Sequence, residues 1–263
     1  MMRVEENGTR RWIFEILAGL EGVRHGVFER RPGASAPPWD GLNVSFAVGD
    51  PPDAVQRNRQ AVAAGLGARR LLFARQVHGE GIAVIDAATD LEGWERNGGP
   101  PAADALVTDR PGVFVAVAVA DCQPILIADP VRRVVAAVHA GWRGSALDLP
   151  GKTVERMVAA FGCRPADLRV GIGPSLGPCC GEMRHYAEEL PRALWRYRRP
   201  GTAHFDFWAA SRDQLLARGV LPERIEVSGL CTRCSPERFF SYRAEKTTGR
   251  FPAAIGLVRG GPP

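Results

Sequence analysis

The sequence predicts a mixed α/β fold in one domain, with layers of sheet flanked by helices. Three observations carry that prediction. The middle of the chain holds two apolar runs, Val113–Ala120 and Val134–His139. Neither shows the polar–apolar alternation of a half-exposed strand, so both faces of each need cover. Segments with helical spacing lie on either side, at Asp53–Leu66 and Asp206–Ala217. Finally, 263 residues with 45% hydrophobic and 24% charged content suffice for a substantial core and match an ordinary globular enzyme.

The elements follow in order. Met1–Arg11 lacks the apolar core of a signal peptide. Residues 1–24 read as an N-terminal extension and first strand, and 1–263 as a single domain. Arg30–Asp50 is rich in Gly, Pro and Ser and is too long for a turn, which marks a functional or mobile loop. Asp53–Leu66 places Val55, Val62 and Leu66 among charges and ends at Gly65-Leu66-Gly67, as a helix does. Leu71–Val77 and Ile82–Ile85 read as strands around His78-Gly79-Glu80-Gly81, and Glu92–Pro101 as a polar loop.

The run from Val113 reads as a strand that continues through Cys122 to Ile127. Asp129–Arg133 is a turn cluster, and Val134–His139 is the next strand. Folding this hairpin about Val131 places His139 opposite Gln123, give or take one residue. Cross-strand Cα atoms lie roughly 4.5–5.5 Å apart, so the Cys122 thiol and the His139 imidazole are expected to meet. Ser145–Phe161 reads mostly as helix, delayed by Pro150-Gly151 and stopped at Gly162. Leu168–Ile172 is a short strand feeding Gly173–Pro178. Helices are expected at Arg184–Arg196 and Asp206–Ala217, the second capped by Asp206 and closed by Gly219. Ile225–Ser228 and Pro252–Val258 read as late strands.

Charge and composition narrow the function. The formal net charge is +5, and lysine occurs only at Lys152 and Lys246. The arginines are scattered in pairs, with no basic run interleaved with aromatics, which favours a small anionic substrate over nucleic acid. No segment reaches the roughly 18 apolar residues of a membrane span, and the default location is the cytoplasm. Without an export signal, the six cysteines read as thiols, one or more metal-bound, rather than disulfides.

His78, Cys122 and His139 each stand where an apolar strand meets a polar or Gly-rich turn. Two imidazoles and one thiolate leave a fourth position open on a tetrahedral metal, the form of a catalytic zinc site. The plain alternative is three unrelated residues, since a single strand histidine usually belongs to the core. A rival is a Cys122 nucleophile with His139 as base. Blue copper also uses two His and one Cys, but a multicopper oxidase needs many more imidazoles than the five present. His78-Gly79-Glu80 matches half of the zinc-deaminase signature. The other half fails, because Cys231-Thr232-Arg233-Cys234 follows Leu230 and not Pro, so Glu80 reads as a turn residue.

Cys179-Cys180 with Cys231 and Cys234 is either a second metal site or a set of thiols near a turn. Gly171-Ile172-Gly173-Pro174 lacks the Gly-Lys-Ser/Thr of a phosphate-binding loop and reads as a strand-to-helix turn. Arg75, Arg143, Arg243 and Arg250 fall near these motifs. Arginine binds phosphate bidentately, and the alternative for each is a surface ion pair.

Several motifs together resemble a known family. They are Arg75–Gly79, Asp104–Thr108, Ala120-Asp121-Cys122, Val138–Gly144, Gly173–Cys180 and Phe240–Arg243 through Thr248-Gly249-Arg250, in that order. The chain resembles, from about His25 to its end, the laccase-domain or polyphenol-oxidase-like family, whose members are described as purine nucleoside phosphorylases. The resemblance implies a layered α/β/β/α sandwich with mixed sheets, similar to some bacterial cysteine hydrolases. It implies one zinc per chain on residues matching His78, Cys122 and His139. It also implies phosphorolysis of adenosine, inosine, guanosine and methylthioadenosine, with phosphate as co-substrate, and deamination of adenosine. Some relatives are tied instead to editing of peptidoglycan precursors, which makes a Cys/His hydrolase the alternative. Gly181 and Ala244 depart from the usual pattern and bear on substrate preference.

The resulting expectation is a cytoplasmic zinc enzyme, monomeric or weakly dimeric, acting on a purine nucleoside and phosphate, with no nucleic-acid or membrane partner. Cys122, His139, Arg75 and Arg143 are its expected catalytic residues. Asn43, Gln76, Arg243 and Arg250 are its expected substrate contacts, and Asp121 is expected to orient a metal ligand.

Overall fold

The computed structural model describes residues 1–94 and 100–258. In chain order its elements are β1 (Met2–Glu6), β2 (Thr9–Ile13), α1 (Glu15–Ala18), β3 (Val23–Phe28), α2 (Pro52–Leu66), β4 (Arg70–Phe73), β5 (Ile82–Ile85) and β6 (Ala105–Thr108). The central strands β7 (Val113–Val119), β8 (Gln123–Asp129) and β9 (Val134–Ala140) follow. Then come α3 (Trp142–Ala146), α4 (Leu149–Phe161), β10 (Arg169–Ile172), α5 (Tyr186–Glu189), α6 (Phe207–Ala217), β11 (Ile225–Val227), α7 (Tyr242–Glu245) and β12 (Phe251–Leu257).

These strands form two mixed six-stranded sheets, β1-β2-β3-β12-β7-β4 and β11-β10-β8-β9-β6-β5. Strand periodicity sorts the apolar side chains into layers. Val113, Val115, Val117 and Val119 share one buried layer with Leu106, Leu126, Val135, Ala137, Ala253 and Ile255, which draws on both sheets. The intervening Phe114 and Ala116 turn the other way and pack with Phe28 and with Val62 and Leu66 of α2. On the far side of the second sheet, Ile125, Ile127, Ala136 and Val138 meet Leu149, Val154 and Met157 of α4 and Leu215 of α6. The order is therefore helix, sheet, sheet, helix, the expected α/β/β/α sandwich. Because helices cover the outer faces, the central strands are apolar on both sides.

Local signals terminate the helices as expected. Gly67 closes α2 at φ 64°, and Asp206 caps α6 by accepting from the Ala209 N–H. Residues 1–24, read as an extension and first strand, in fact contribute the β1–β2 hairpin at the sheet edge and α1 before β3 begins.

Other boundaries differ. The strand expected to run unbroken from Val113 to Ile127 is two strands in different sheets, with the chain crossing between them at Ala120-Asp121-Cys122. Both pieces are apolar on both faces, and the short polar interruption at Asp121-Cys122-Gln123 is the one mark of the crossing in the sequence. β4 stops at Phe73, and residues 74–77 leave the sheet toward His78. The helix expected over Arg184–Arg196 is a short α5 and a 3-10 turn at Arg192–Tyr197, separated by Pro191. Pro191 disfavours helical backbone at the preceding Leu190, which is extended with ψ 133°. The helix expected from Ser145 is divided into α3 and α4, with Asp148 in the left-handed region at φ 57° between them. Of the polar loop expected at Glu92–Pro101, residues 95–99 lie outside the described residues.

Candidate active site

The crossing between the sheets builds the site. β8 and β9 pair with Pro124 opposite His139 and Gln123 opposite Ala140, within one residue of the expected register. Cys122 stands just before β8 and His139 near the end of β9, so the hairpin brings thiol and imidazole together. His78 arrives from the segment after β4. One ligand atom from each of His78, Cys122 and His139 lies within 4.8 Å of the others. The two imidazole rings meet edge to face, their centroids 4.8 Å apart.

Two residues at the site hold strained backbone. His78 has φ 58° and Asp121 has φ 89°, both in the left-handed region that side-chain-bearing residues avoid. Such conformations persist where surrounding bonds over-determine them, and both residues are held that way. The Asp104 carboxylate accepts from the backbone N–H groups of Val77 (3.2 Å), His78 (3.0 Å) and Gly79 (2.7 Å). It also accepts from Nδ1 of His139 at 2.8 Å, and its carbonyl accepts from the His139 N–H at 2.7 Å. One fully buried aspartate thus fixes the backbone of one histidine and the ring of the other. With Nδ1 donating to Asp104, Nε2 is the His139 atom left to bind.

Asp121 does different work from that expected. Its carboxylate accepts from the Thr232 hydroxyl (2.7 Å) and the Arg243 N–H (2.6 Å), and its carbonyl accepts from the Leu176 N–H (2.9 Å). It ties loops to the crossing, whereas Asp104 is the carboxylate that orients the His139 ring. The Asp104–Thr108 run is visible in the sequence, and a carboxylate entering a buried strand is the signal that marks it.

The electrostatics follow from proximity. Burial pushes the Cys122 thiol up, but the facing imidazoles of His139 and His78 outweigh it and hold the thiol at about 6. Burial pushes His139 down, yet the Cys122 sulfur and the Asp104 carboxylate raise it to about 9. Without a metal, the pair is a thiolate beside an imidazolium. Burial also raises the Asp104 carboxyl, and its bonds from His139, Gly79 and Val77 bring it below its ordinary value.

These groups open onto a cavity of about 950 Å³. Gly141 sits against them: a Cβ there would lie 2.9 Å from the Cys122 sulfur and 3.5 Å from the His78 ring. The absence of a side chain keeps the space in front of the three donors clear. The donor set suits zinc, which takes thiolate and imidazole together and in catalytic sites has three protein ligands.

Of the other expected residues, Arg75, Gln76, Arg243 and Arg250 line this cavity. The Gln76 side-chain amide is engaged at both ends by the Ala118 backbone, donating at 2.9 Å and accepting at 2.8 Å. Arg243 donates to the carbonyls of Cys180 (3.4 Å) and Glu182 (3.0 Å). Arg250 donates to the carbonyls of Thr248 (2.9 Å) and Gly249 (3.0 Å), and burial lowers its pKa. A guanidinium carries five N–H donors, so both retain capacity toward the cavity.

Two residues are corrected. Asn43 does not line the cavity: it is fully buried, donates to Asp50 (2.7 Å) and accepts from the Arg250 N–H (2.9 Å). It braces the loop beneath Arg250 and is not a substrate contact. Arg143 is not a lining residue either; its exposed guanidinium rests over the Trp142 ring, 4.9 Å from the centroid. Successive helix residues point about 100° apart, so with Trp142 facing the cavity at the start of α3, Arg143 turns away. Expectation also passed over the exposed Phe46 and Tyr242, and Trp142, Arg59 and Lys246, all of which line the wall. Glu80 pairs with Lys152 on the surface, consistent with a turn residue.

Comparisons with known proteins agree with this fold. The family described as "Multi-copper polyphenol oxidoreductase laccase" matches residues 24–258. A "Purine nucleoside phosphorylase" of Deinococcus radiodurans is 39% identical over 247 residues, covering 90% of this chain and 90% of that one. "Purine nucleoside phosphorylase YlmD" of Geobacillus stearothermophilus is 34% identical over 268 residues, covering 97% and 98%. The crystal structure of YlmD from that organism matches with a TM-score of 0.86 at 34% identity over 97% and 98% of the two chains. The Bacillus licheniformis hypothetical protein YfiH matches at 0.85 and 31% identity over 96% and 97%. By sequence and fold alike, this chain belongs to the family described as multi-copper polyphenol oxidoreductase laccase, alongside relatives named purine nucleoside phosphorylase.

Proposed function

We propose that the chain, acting as one catalytic unit, is a zinc-dependent purine nucleoside phosphorylase. The observation that carries this is the convergence of His78, Cys122 and His139 on a cavity whose wall combines arginines with exposed aromatic faces. The names of the relatives support the reaction class. The printed description of the family points to copper, but five histidines in the whole chain are too few for a multicopper centre.

His78, Cys122 and His139 would hold the metal. When bound, zinc supplies a Lewis acid and a means of activating water. The remaining work belongs to the chain itself. Arg75, exposed on the cavity wall, and Arg243 offer guanidinium donors to phosphate. Phosphate held beside the anomeric carbon attacks it as the bond to the purine breaks; the electron pair leaves with the base, which takes a proton. Positive charge building on the sugar is stabilised by that anion. Phe46, Trp142 and Tyr242 give the purine apolar surface to lie against. Asp104 keeps the His139 ring and the His78 backbone in place throughout. We extend the proposal to adenosine, inosine, guanosine and methylthioadenosine as substrates, to deamination of adenosine by water at the same site, and to a cytoplasmic monomer or weak homodimer. No helix among the described residues is long and apolar enough to cross a membrane.

Product analysis tests this directly. Inosine with phosphate should yield hypoxanthine and ribose 1-phosphate, and Cys122→Ala or His139→Ala should abolish the reaction along with zinc at this site. Equal rates in phosphate-free buffer would mean plain hydrolysis and reject the proposal.

One observation favours a second reading. Asp104, His139 and Cys122 line up as carboxylate, base and thiol, and the Cys122 thiol at about 6 is poised as a nucleophile. A Cys/His hydrolase acting on a cell-wall precursor would use that arrangement. Iodoacetamide separates the two: a metal-held thiolate labels slowly until chelation, a free nucleophile rapidly in zinc-replete protein.

A further inference from the structure

Four cysteines outside the active site converge from two loops. β10 and β11 are parallel neighbours, with Val170, Gly171 and Ile172 opposite Ile225, Glu226 and Val227. The loops that follow them therefore leave the same end of the sheet side by side. Their backbones stay joined: Ser175 donates to the Leu230 carbonyl at 3.2 Å, and Thr232 donates to the Ser175 carbonyl at 3.0 Å. One loop carries Cys179 and Cys180, the other Cys231 and Cys234. All four sulfurs lie within 4.8 Å of one another. The Cys234 sulfur is 3.6 Å from those of both Cys179 and Cys180.

Those separations have a chemical meaning. A disulfide holds its sulfurs about 2.05 Å apart. Four thiolates about 2.3 Å from one tetrahedral zinc stand about 3.8 Å from each other. The observed spacing matches the second geometry.

We propose that Cys179, Cys180, Cys231 and Cys234 form a second, structural zinc site that clamps the two loops together. Binding one zinc ion releases the four thiol protons, with no change in oxidation state. The site is closed, with four protein ligands and none left for substrate, in contrast to the three-ligand set at the cavity. Its role is to position the cavity wall. The Cys180 carbonyl accepts from the Arg243 guanidinium at 3.4 Å, and Thr232, between the two loop-two cysteines, donates to Asp121 at 2.7 Å. Arg243 and the residue preceding Cys122 are thus anchored to the segments the four sulfurs join.

Metal content tests the proposal independently of the catalytic reading. The zinc-replete protein should carry about two equivalents per chain, one per site. Cys231→Ser with Cys234→Ser should lose one equivalent, and His139→Ala should lose the other. X-ray absorption on the His139→Ala protein, whose four cysteines are intact, should show zinc with a four-sulfur shell at about 2.3 Å. Exposed Cys179→Ser serves as a milder variant if the double substitution fails to fold, and it should replace one sulfur of that shell. Full wild-type zinc in the Cys231→Ser, Cys234→Ser protein, an unchanged four-sulfur shell in Cys179→Ser, nitrogen or oxygen in the shell of His139→Ala, or a disulfide among these four cysteines in protein purified without oxidant would overturn the proposal. Loss of nucleoside activity alone would bear on the active-site reading and not on this one.

Discussion

The molecule brings soft ligands together at two places, and the two places differ in what faces them. His78, Cys122 and His139 sit where one sheet hands the chain to the other, with Gly141 keeping the space in front of them clear and a cavity of about 950 Å³ beyond. Cys179, Cys180, Cys231 and Cys234 sit where two surface loops run side by side, and none of them lines that cavity. The first set mixes nitrogen and sulfur and has a buried aspartate behind it; the second is all sulfur. An open set with a preorganised support can do chemistry, whereas a closed set of four can only hold segments together. The two are linked through Asp121, which both loops bind and which directly precedes Cys122.

The strongest way to break this comparison is pH. At the active site, metal must displace a proton from His139, whose pKa is raised to about 9, while Cys122 is already a thiolate above about 6. Metal affinity there should therefore climb about tenfold per pH unit between about 6 and about 9, more steeply below that window, and level off above it. Competition against a chelator of known protonation behaviour measures it in the protein lacking the four loop cysteines. A flat profile between about 6 and about 9 would remove His139 from the ligand set.

Asp104→Asn comes next. Asparagine keeps the shape but loses the charge that holds His139 and gathers the N–H groups of Val77, His78 and Gly79. Zinc affinity at the active site should fall by about 10–100-fold, with the four-cysteine site unaffected. Equal loss at both sites would indicate general unfolding rather than a positioning role.

The smallest effect separates the arginines. Arg75→Ala should raise the phosphate KM about tenfold, or about 1.4 kcal/mol, with kcat changed less. Arg143→Ala should leave both parameters within about twofold, because its guanidinium lies over Trp142 outside the cavity. Equal effects of the two would mean that phosphate is held elsewhere than the wall assigned here.

Much of this was legible in the chain. Helix ends at Gly67, Asp206 and Gly162 follow from local chemistry that operates wherever those residues occur. The Cys122–His139 meeting follows from hairpin arithmetic, and the observed pairing of Pro124 with His139 falls within the one residue allowed, a margin needed because turn length is not visible in an apolar pattern. Asn43 was misread for a related reason. A polar residue in a Gly/Pro-rich loop looks like a substrate contact, yet Asp50, Ser45 and Arg250 consume its amide. Those partners come from elsewhere in the chain and cannot be counted from composition.

By itself, then, the sequence determined the layered α/β architecture, most of the elements and the meeting of Cys122 with His139. Periodicity, capping and short-range pairing act over a few residues, and those distances are written in the chain. Only the tertiary structure decided that the central apolar run changes sheets at Asp121, that Asp104 supports both histidines, and that Cys179-Cys180 meets Cys231 and Cys234. Each of these depends on which strand lies beside which. Adjacency between strands far apart in sequence is set by the packing of two whole sheets, and no local pattern encodes it.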